Sequence, residues 1–253
     1  MKGLDSALAR SCHLMLNEKS VCLLSGGLDS ATVLAIALSK GFECHAISFS
    51  YGQKHERELL SSGKIAEYFN VDRVISEVDL RPIAKSALTG HGEIQKRERD
   101  EISNEIPNTY VPSRNIIFLS IAASYAESIG ARHIFIGANA IDYSGYPDCR
   151  PSFYNAFERA LNLGTKSGLE KEFKIHVPLQ FLKKSEIIKI GTELGVPYEL
   201  TTSCYDGGEE ACGQCDSCIL RLQGFMEAGL KDPVKYKNYP GFYQDYLRKK
   251  GLT

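Results

Sequence analysis

Residues 25–30, with the sequence SGGLDS, place two adjacent glycines between a short apolar run and a helical pattern. Such glycines let the backbone take positive φ and let a ligand approach without a Cβ in the way. A helix that starts directly afterwards aims free N–H groups and its positive dipole end at the same point. The hydroxyls of Ser25 and Ser30 add donors, and Asp29 could cap the helix or hold a cation against phosphates. We interpret this segment as a phosphate-binding loop, and the alternative is a tight strand-to-helix turn.

Two other phosphate-binding motifs are excluded at this position. No lysine follows the glycines, as G-x-x-x-x-G-K-[ST] requires, and the G-x-G-x-x-G pattern is also missing. The loop therefore has to hold phosphates with main-chain amides and hydroxyls.

The second group with chemical potential is a set of cysteines in SCYDGGEEACGQCDSC, spaced C-x7-C-x2-C-x2-C. Its members are Cys204, Cys212, Cys215 and Cys218. Four thiolates match tetrahedral zinc, and a closed four-cysteine site usually has a structural role. An iron–sulfur cluster, a redox or persulfide-carrying C-x2-C pair, and unligated core cysteines are the alternatives. Zinc needs no electron-transfer partner and the segment is too polar for a core, so we predict one structural Zn²⁺ per chain.

The elements that must position these residues alternate along the chain. Apolar strand-like runs occupy residues 21–24, 43–51, 73–78, 133–139 and 174–179, and helical patterns occupy 29–40, 54–69, 115–130, 152–164 and 183–195. Strands separated by helices form a parallel sheet with helices on both faces. We predict an α/β fold with a doubly wound, mainly parallel five-stranded sheet. Ligands bind such sheets beyond the carboxyl ends of the strands, near the switch point, where residues 25–30 lie.

Composition limits the partners of the protein. A net charge of −1 over 253 residues gives no global basic field, so we expect no stable nucleic-acid binding. No run reaches the roughly 18 apolar residues of a membrane span, and the N-terminus lacks the apolar core of a signal peptide. We therefore expect a cytoplasmic protein without membrane contact. Residues 80–113 are polar and turn-rich, which is typical of an active-site lid or a mobile segment.

The SGGLDS segment resembles the pyrophosphate loop, S-G-G-x-D-S, of the N-type ATP pyrophosphatase (PP-loop) superfamily. Further stretches resemble the 7-cyano-7-deazaguanine synthase family of queuosine precursor biosynthesis, from about residue 20 to about residue 235. They are LLSGGLDSATVL, SFSYGQKH, YVPSRNIIFLSIAASYAE, FIGANAIDYSGYPDCRPSFYNAF and CDSCILRLQGF. The chain departs from this family at two positions, with Ser113 in place of Gly in V-P-G-R-N and Thr202 in place of Trp in T-W-S-C-Y.

The resemblance implies an adenine-nucleotide alpha-hydrolase-like fold and an ATP-dependent ligase that forms carbon–nitrogen bonds. Its substrates would be 7-carboxy-7-deazaguanine, ammonia and ATP with Mg²⁺, and its product a nitrile, formed through adenylated carboxylate and amide intermediates. Residues 18–200 would form the PP-loop ATP-binding domain, and residues 201–253 a zinc-binding, mainly helical segment packed on it. The nucleotide-binding residues would be Leu24, Ser25, Gly26, Gly27, Leu28, Asp29, Ser30, Ala31, Thr32, Val33 and Leu34.

Catalytic roles would fall to Ser25, Asp29, Ser30 and Arg114. Arg114 would neutralise a phosphate or the substrate carboxylate, and a surface salt bridge is the alternative. The candidate substrate-binding residues follow the strand 133–139 and are Asp142, Tyr143, Asp148 and Arg150. An aspartate there could accept hydrogen bonds from a guanine-like amino edge and a tyrosine could stack on the ring, although spacing alone favours an Asp/Gly/Pro turn.

Three functions other than this ligase are alternatives for the sequence. A tRNA-thiolating enzyme of the same superfamily would use cysteines as sulfur carriers, but it predicts a basic face and an added RNA-binding domain. A non-catalytic zinc module predicts no ATP-dependent step. An amidotransferase would need a glutaminase, for which the length leaves little room, so free ammonia or a separate donor is implied. A homodimer is one expectation for the assembly.

Overall fold

A computed structural model describes residues 18–53, 56–94, 106–140 and 146–252. The sheet in this part of the chain has five strands in the order β3-β2-β1-β4-β5, and each neighbouring pair is parallel. The strands are β1 (Lys19–Leu23), β2 (Glu43–Ser50), β3 (Arg73–Glu77), β4 (His133–Phe135) and β5 (Lys174–His176). The predicted five-stranded parallel sheet is thus confirmed. The strand order reverses between β1 and β4, which makes that pair the switch point.

Eight α-helices lie in the described ranges and connect or follow these strands. They are α1 (Leu28–Ser39), α2 (Arg57–Tyr68), α3 (Arg114–Ile129), α4 (Pro151–Gly164), α5 (Lys166–Glu170), α6 (Lys184–Glu193), α7 (Asp216–Ala228) and α8 (Gly241–Lys250). Three single-turn 3₁₀ helices, Ala87–Thr89, Pro147–Cys149 and Tyr198–Leu200, complete the regular structure of this part.

Helices cover both faces of the sheet because alternate residues of a strand point to opposite sides. Cys22 of β1 and the following Leu24 enter one hydrophobic core together with α1, α6 and α7. Val21 and Leu23 enter a second core formed with α3 and α4. This arrangement confirms the doubly wound α/β class.

The C-terminal segment packs on the α/β core. Helix α7 approaches α6 so closely that a Cβ on Gly224 would lie 2.3 Å from Cγ of Lys184. All four clustered cysteines belong to the same hydrophobic core as α1. The division between residues 18–200 and 201–253 remains a prediction, although the two parts share this core.

The polar segment 80–113 is partly described. Leu80 and Ala84 are buried in the second core, Ala87 is also buried, and the Ala87 N–H donates to the Asn108 carbonyl at 2.9 Å. Both ends of the segment are therefore fixed to the body of the protein, and residues 95–105 lie outside the described ranges. Across those ranges, no helix has the length and apolar character that a membrane crossing requires.

Candidate active site

A cavity of about 240 Å³ opens beyond the carboxyl ends of β1, β2 and β4. Its wall combines the loop at residues 25–30, the ends of two neighbouring strands, the start of α3, the start of α6 and the segment before α7. The polar and charged residues along it include Ser25, Asp29, Ser30, Ser48, Tyr51, Glu58, Arg114, Asn115, Asn139, Tyr146, Lys184, Thr202, Ser203, Tyr205 and Arg221. The cavity is therefore situated where the doubly wound fold predicts a ligand.

Hydrogen bonds of its two serines fix the shape of the loop at residues 25–30. Gly26 has φ of +90°, a conformation that favours glycine, and Gly27 is extended at φ −83° and ψ 166° as the N-cap of α1. Ser30 Oγ accepts the Ser25 N–H at 3.2 Å, and the two serine hydroxyls lie 3.0 Å apart. The first intrahelical bond runs from the Ala31 N–H to the Gly27 carbonyl at 3.1 Å. The N–H groups of the preceding residues in this first turn have no intrahelical acceptor.

Helix α2 and the segment after β4 approach this loop closely from two sides. A Cβ on Gly26 would lie 2.3 Å from the Glu58 carbonyl oxygen of α2. A Cβ on Gly137, after β4, would lie 3.0 Å from the backbone nitrogen of Ser30. Glycine at these two positions allows strand and helix backbones to close around the loop.

The Asp29 carboxylate does not cap its own helix but binds a lysine from a distant one. Lys184 Nζ donates to Asp29 Oδ1 at 2.7 Å and to Oδ2 at 2.8 Å, and both side chains are largely buried. Lys184 is a cavity residue that our reading of the sequence missed, because 155 residues separate it from the aspartate. Asn139 helps to place it, since its amide donates to the carbonyls of Leu179 and Leu182 just before α6.

Arg114 begins α3 and lines the cavity together with Tyr51 and Tyr146. The residue before it, Ser113, has φ of +57°, in the left-handed region that favours glycine. Ser113 therefore adopts a backbone conformation that the glycine of the resembling pattern V-P-G-R-N would take more easily.

The candidate substrate residues fall in three places. Asp148 is buried against the start of α3, where its Oδ2 accepts the Asn115 N–H at 3.3 Å. Burial raises the pKa of this carboxyl, and the charge of Arg114 opposes that rise. Arg150 is exposed before α4 and is not part of the cavity wall. Asp142 and Tyr143 lie outside the described residues.

The candidate nucleotide residues divide between cavity and core. Leu24, Ser25, Gly27, Leu28, Asp29 and Ser30 line the cavity, and Gly26 contacts α2 behind it. Ala31, Val33 and Leu34 are buried in the first core, Thr32 is buried between them in sequence, and none of the four is part of the cavity wall. The Thr32 hydroxyl lies 2.9 Å from the hydroxyl of Tyr198, so its visible role is to join α1 to the 3₁₀ helix Tyr198–Leu200.

The four clustered cysteines converge as a metal site requires. Their sulfur atoms all lie within 4.8 Å of one another, and the Sγ atoms of Cys212 and Cys218 are 3.9 Å apart. Tetrahedral zinc with bonds of about 2.3 Å would separate two sulfurs by about 3.8 Å. Backbone N–H groups of Gln214 and Cys215 donate to Cys212 Sγ at 3.3 Å, the type of contact that supports a thiolate ligand. The four residues can therefore hold one metal ion.

The fold and the S-G-G-x-D-S loop at its switch point define a PP-loop ATP-binding protein. The model of the family described as queuosine biosynthesis protein QueC matches residues 19–229. The 7-cyano-7-deazaguanine synthase of Thermoplasma acidophilum is 64% identical over 93% of this chain and 99% of its own. Proteins with the same name from Picrophilus torridus and Oceanobacillus iheyensis are 59% and 51% identical, over 92% and 88% of this chain and 97% and 100% of theirs. The chain belongs to the QueC family.

Proposed function

We propose that this protein is an ATP-dependent ligase that converts 7-carboxy-7-deazaguanine and ammonia to 7-cyano-7-deazaguanine, a step of queuosine precursor biosynthesis. The observation that carries the proposal is the open S-G-G-x-D-S loop in a chain 64% identical to a protein named 7-cyano-7-deazaguanine synthase. The alternative, tRNA thiolation, finds no support in the names of these relatives or in the net charge of −1.

The chemistry needs two activations, because neither a carboxylate nor an amide expels oxygen by itself. The carboxylate oxygen attacks the α-phosphorus of ATP, which releases pyrophosphate and leaves an acyl adenylate. Ammonia then displaces AMP and gives the amide. The amide oxygen attacks a second ATP, again with loss of pyrophosphate, and elimination of AMP with a proton leaves the nitrile.

The loop supplies stabilisation of the leaving pyrophosphate. Main-chain N–H groups at the start of α1, with the hydroxyls of Ser25 and Ser30, would hold the β- and γ-phosphates. Lys184 brings a positive charge to the same wall, 2.7 Å from Asp29. Fixed donors of this kind lower the activation barrier, because charge grows on the phosphate oxygens as the bond to the α-phosphorus breaks.

Arg114 is our candidate for the partner of the second substrate. It lies in the same cavity at the start of α3, and its guanidinium suits a carboxylate held in two hydrogen bonds. Binding the carboxylate there would orient its oxygen toward the nucleotide, and orientation alone can supply a large part of the rate.

Two cations complete the proposal. ATP enters as its Mg²⁺ complex, and Asp29 and Glu58 bring carboxylate oxygens, the ligands that Mg²⁺ prefers, to the cavity wall. Cys204, Cys212, Cys215 and Cys218 would hold a structural Zn²⁺ in a closed site that leaves no position for a substrate. A cytoplasmic location, a homodimer and the lack of a stable nucleic-acid partner remain predictions.

The decisive experiment incubates purified protein with ATP, Mg²⁺, ammonium and the 7-carboxy compound, and identifies the products by mass spectrometry. We expect two AMP and two pyrophosphate for each nitrile formed. Production of ADP alone, or transfer of sulfur to RNA, would overturn the proposal. The Arg114→Lys variant tests which substrate Arg114 binds, because it should raise KM for the carboxylate more than KM for ATP.

A further inference from the structure

The buried side chain of Arg221 connects the cysteine site to the phosphate loop. Arg221 stands one helical turn after Cys218 in α7, and 3% of its surface is exposed. Its Nε and Nη2 donate to the two carboxylate oxygens of Asp232 at 2.7 and 2.9 Å. This bidentate pair fixes the plane of the guanidinium.

The remaining donors of Arg221 bind groups within residues 198–203, which lead into the cysteine site. Nη1 donates to Thr201 Oγ1 at 2.7 Å and to Ser203 Oγ at 3.4 Å, and Nη2 donates to the Tyr198 carbonyl at 3.1 Å. The guanidinium thus holds both sides of residue 202 in place. Because its donors are occupied by protein groups, Arg221 is suited to positioning and not to binding a ligand.

The segment held in this way contacts the phosphate loop directly. The Thr202 N–H donates to the Gly26 carbonyl at 2.9 Å, and Thr202 lines the cavity with Ser203. A peptide group is planar and trans, so fixing the Gly26 carbonyl also fixes the opposite direction of the Gly27 N–H. The Gly27 N–H also donates to Ser25 Oγ at 3.3 Å, so the peptide is held at both ends, while the glycine on each side adds little steric restraint of its own.

We infer that Arg221 is a positioning residue for the proposed ATP-dependent reaction: through Thr201 and Thr202 it sets the orientation of the Gly26–Gly27 peptide that meets the phosphates. This inference rests on the proposed function. It gives the C-terminal segment a second role beside metal binding, since α7 carries both the end of the cysteine cluster and the residue that orders the loop.

The test compares three variants in the metal-loaded, full-length protein. Thr201→Val keeps the shape of the side chain but removes the acceptor for Arg221. Arg221→Gln removes the guanidinium. Arg248→Gln is the matched control, because Arg248 pairs with Asp245 on the exposed surface of α8. The measurements are Kd for Mg·ATP by calorimetry, KM and kcat, bound metal by mass spectrometry, and hydrogen exchange at residues 25–30 and 201–203.

We expect Thr201→Val and Arg221→Gln to raise Kd and KM for ATP about fivefold or more, a usual size for coupling between sites. KM for the carboxylate and the metal content should stay within twofold in Thr201→Val, and exchange at both segments should accelerate. Arg248→Gln should match wild type in each measurement. If Arg221→Gln does not fold, Thr201→Val decides the question.

A folded, metal-loaded Thr201→Val protein with unchanged Mg·ATP affinity and unchanged exchange would refute the inference. Failure of the proposed function looks different, because wild type would then form no nitrile from the 7-carboxy compound, whether or not it binds Mg·ATP. In that case accelerated exchange at residues 25–30 in Thr201→Val would still support the positioning role, and unchanged exchange would reject it.

Discussion

The two glycines of the phosphate loop offer a matched pair of substitutions. At Gly26, φ is +90° and a Cβ would lie 2.3 Å from the Glu58 carbonyl oxygen and 2.8 Å from the Ser62 nitrogen, both backbone atoms of α2. At Gly27, φ is −83° and a Cβ would meet its nearest atoms at 3.4 Å or more. The same substitution to alanine should therefore destabilise the protein at Gly26 and have little effect at the neighbouring Gly27.

The magnitudes follow from these contacts. In Gly26→Ala the left-handed backbone costs about 1–2 kcal/mol, and moving a helix backbone away from the new methyl adds about 1–3 kcal/mol. The sum, about 2–5 kcal/mol, should lower Tm by about 4–20 °C in a protein of this size. In Gly27→Ala the poorer N-cap costs about 0.5–1 kcal/mol, and reduced freedom of the unfolded chain returns about 0.4–1 kcal/mol. The net change there should be close to zero.

Urea unfolding of both variants, followed by calorimetric titration with Mg·ATP, measures these effects. We expect Gly26→Ala to lose both stability and ATP binding, because the loop must shift to relieve the contact with α2. The unfolding free energy of Gly27→Ala should lie within about 1 kcal/mol of that of wild type. Equal unfolding free energies for the two variants, or a larger loss at Gly27, would show that the close approach of α2 to the loop is not as described.

Three further predictions concern other parts of the molecule. Lys184→Met removes a positive charge from the cavity and should lower kcat about 100-fold or more in the pyrophosphate-release assay, while Lys189→Met, on the exposed face of the same helix, should be neutral. Ser113→Gly relieves a left-handed serine and should stabilise the protein by up to about 1 kcal/mol in urea unfolding, whereas Ser120→Gly, inside α3, should cost about 0.5 kcal/mol. Destabilisation by Ser113→Gly would contradict the φ of +57°. Burial, reinforced by nearby positive groups, lowers the pKa of His176 to about 4 from 6.5. Between these two pH values the unfolded chain therefore binds more protons than the folded protein. The unfolding free energy should fall as the pH drops from 6.5 to 4, by up to about 1.4 kcal/mol per pH unit. His176→Gln should make the unfolding free energy less dependent on pH in this range.

The architecture was largely accessible from local patterns. Continuous apolar strands such as the one ending at Leu24, with helices between them, predict a parallel sheet covered on both faces, and the sheet has this form. The loop at residues 25–30 could be placed at a strand end because neighbouring residues in sequence fix a strand–turn–helix unit. The cysteine spacing predicted a four-ligand group, and the sulfur atoms converge within 4.8 Å.

Contacts between distant segments were not accessible in this way. Lys184 carries no local signal that would assign it to the loop, since a lysine at a helix start is ordinary on any surface. The role of Asp148 as a substrate ligand, which the resemblance implies, stays a prediction, and the bond from the Asn115 N–H to its carboxylate could not be read from the sequence. Ala31 to Leu34 fall within the nucleotide segment of the family pattern, yet helical periodicity turns them into the core.

The sequence by itself determined the residue types, the order of the strands and helices along the chain, and the two short motifs, because each of these depends on residues a few positions apart. Only the tertiary structure decided which groups share the cavity. Asp29 pairs with Lys184, α2 approaches Gly26, and Thr202 donates to the Gly26 carbonyl. Each of these contacts requires segments from separate parts of the chain to pack at the same edge of the sheet. That packing depends on the burial of complete helix faces, a property of the folded core that no short stretch of sequence contains.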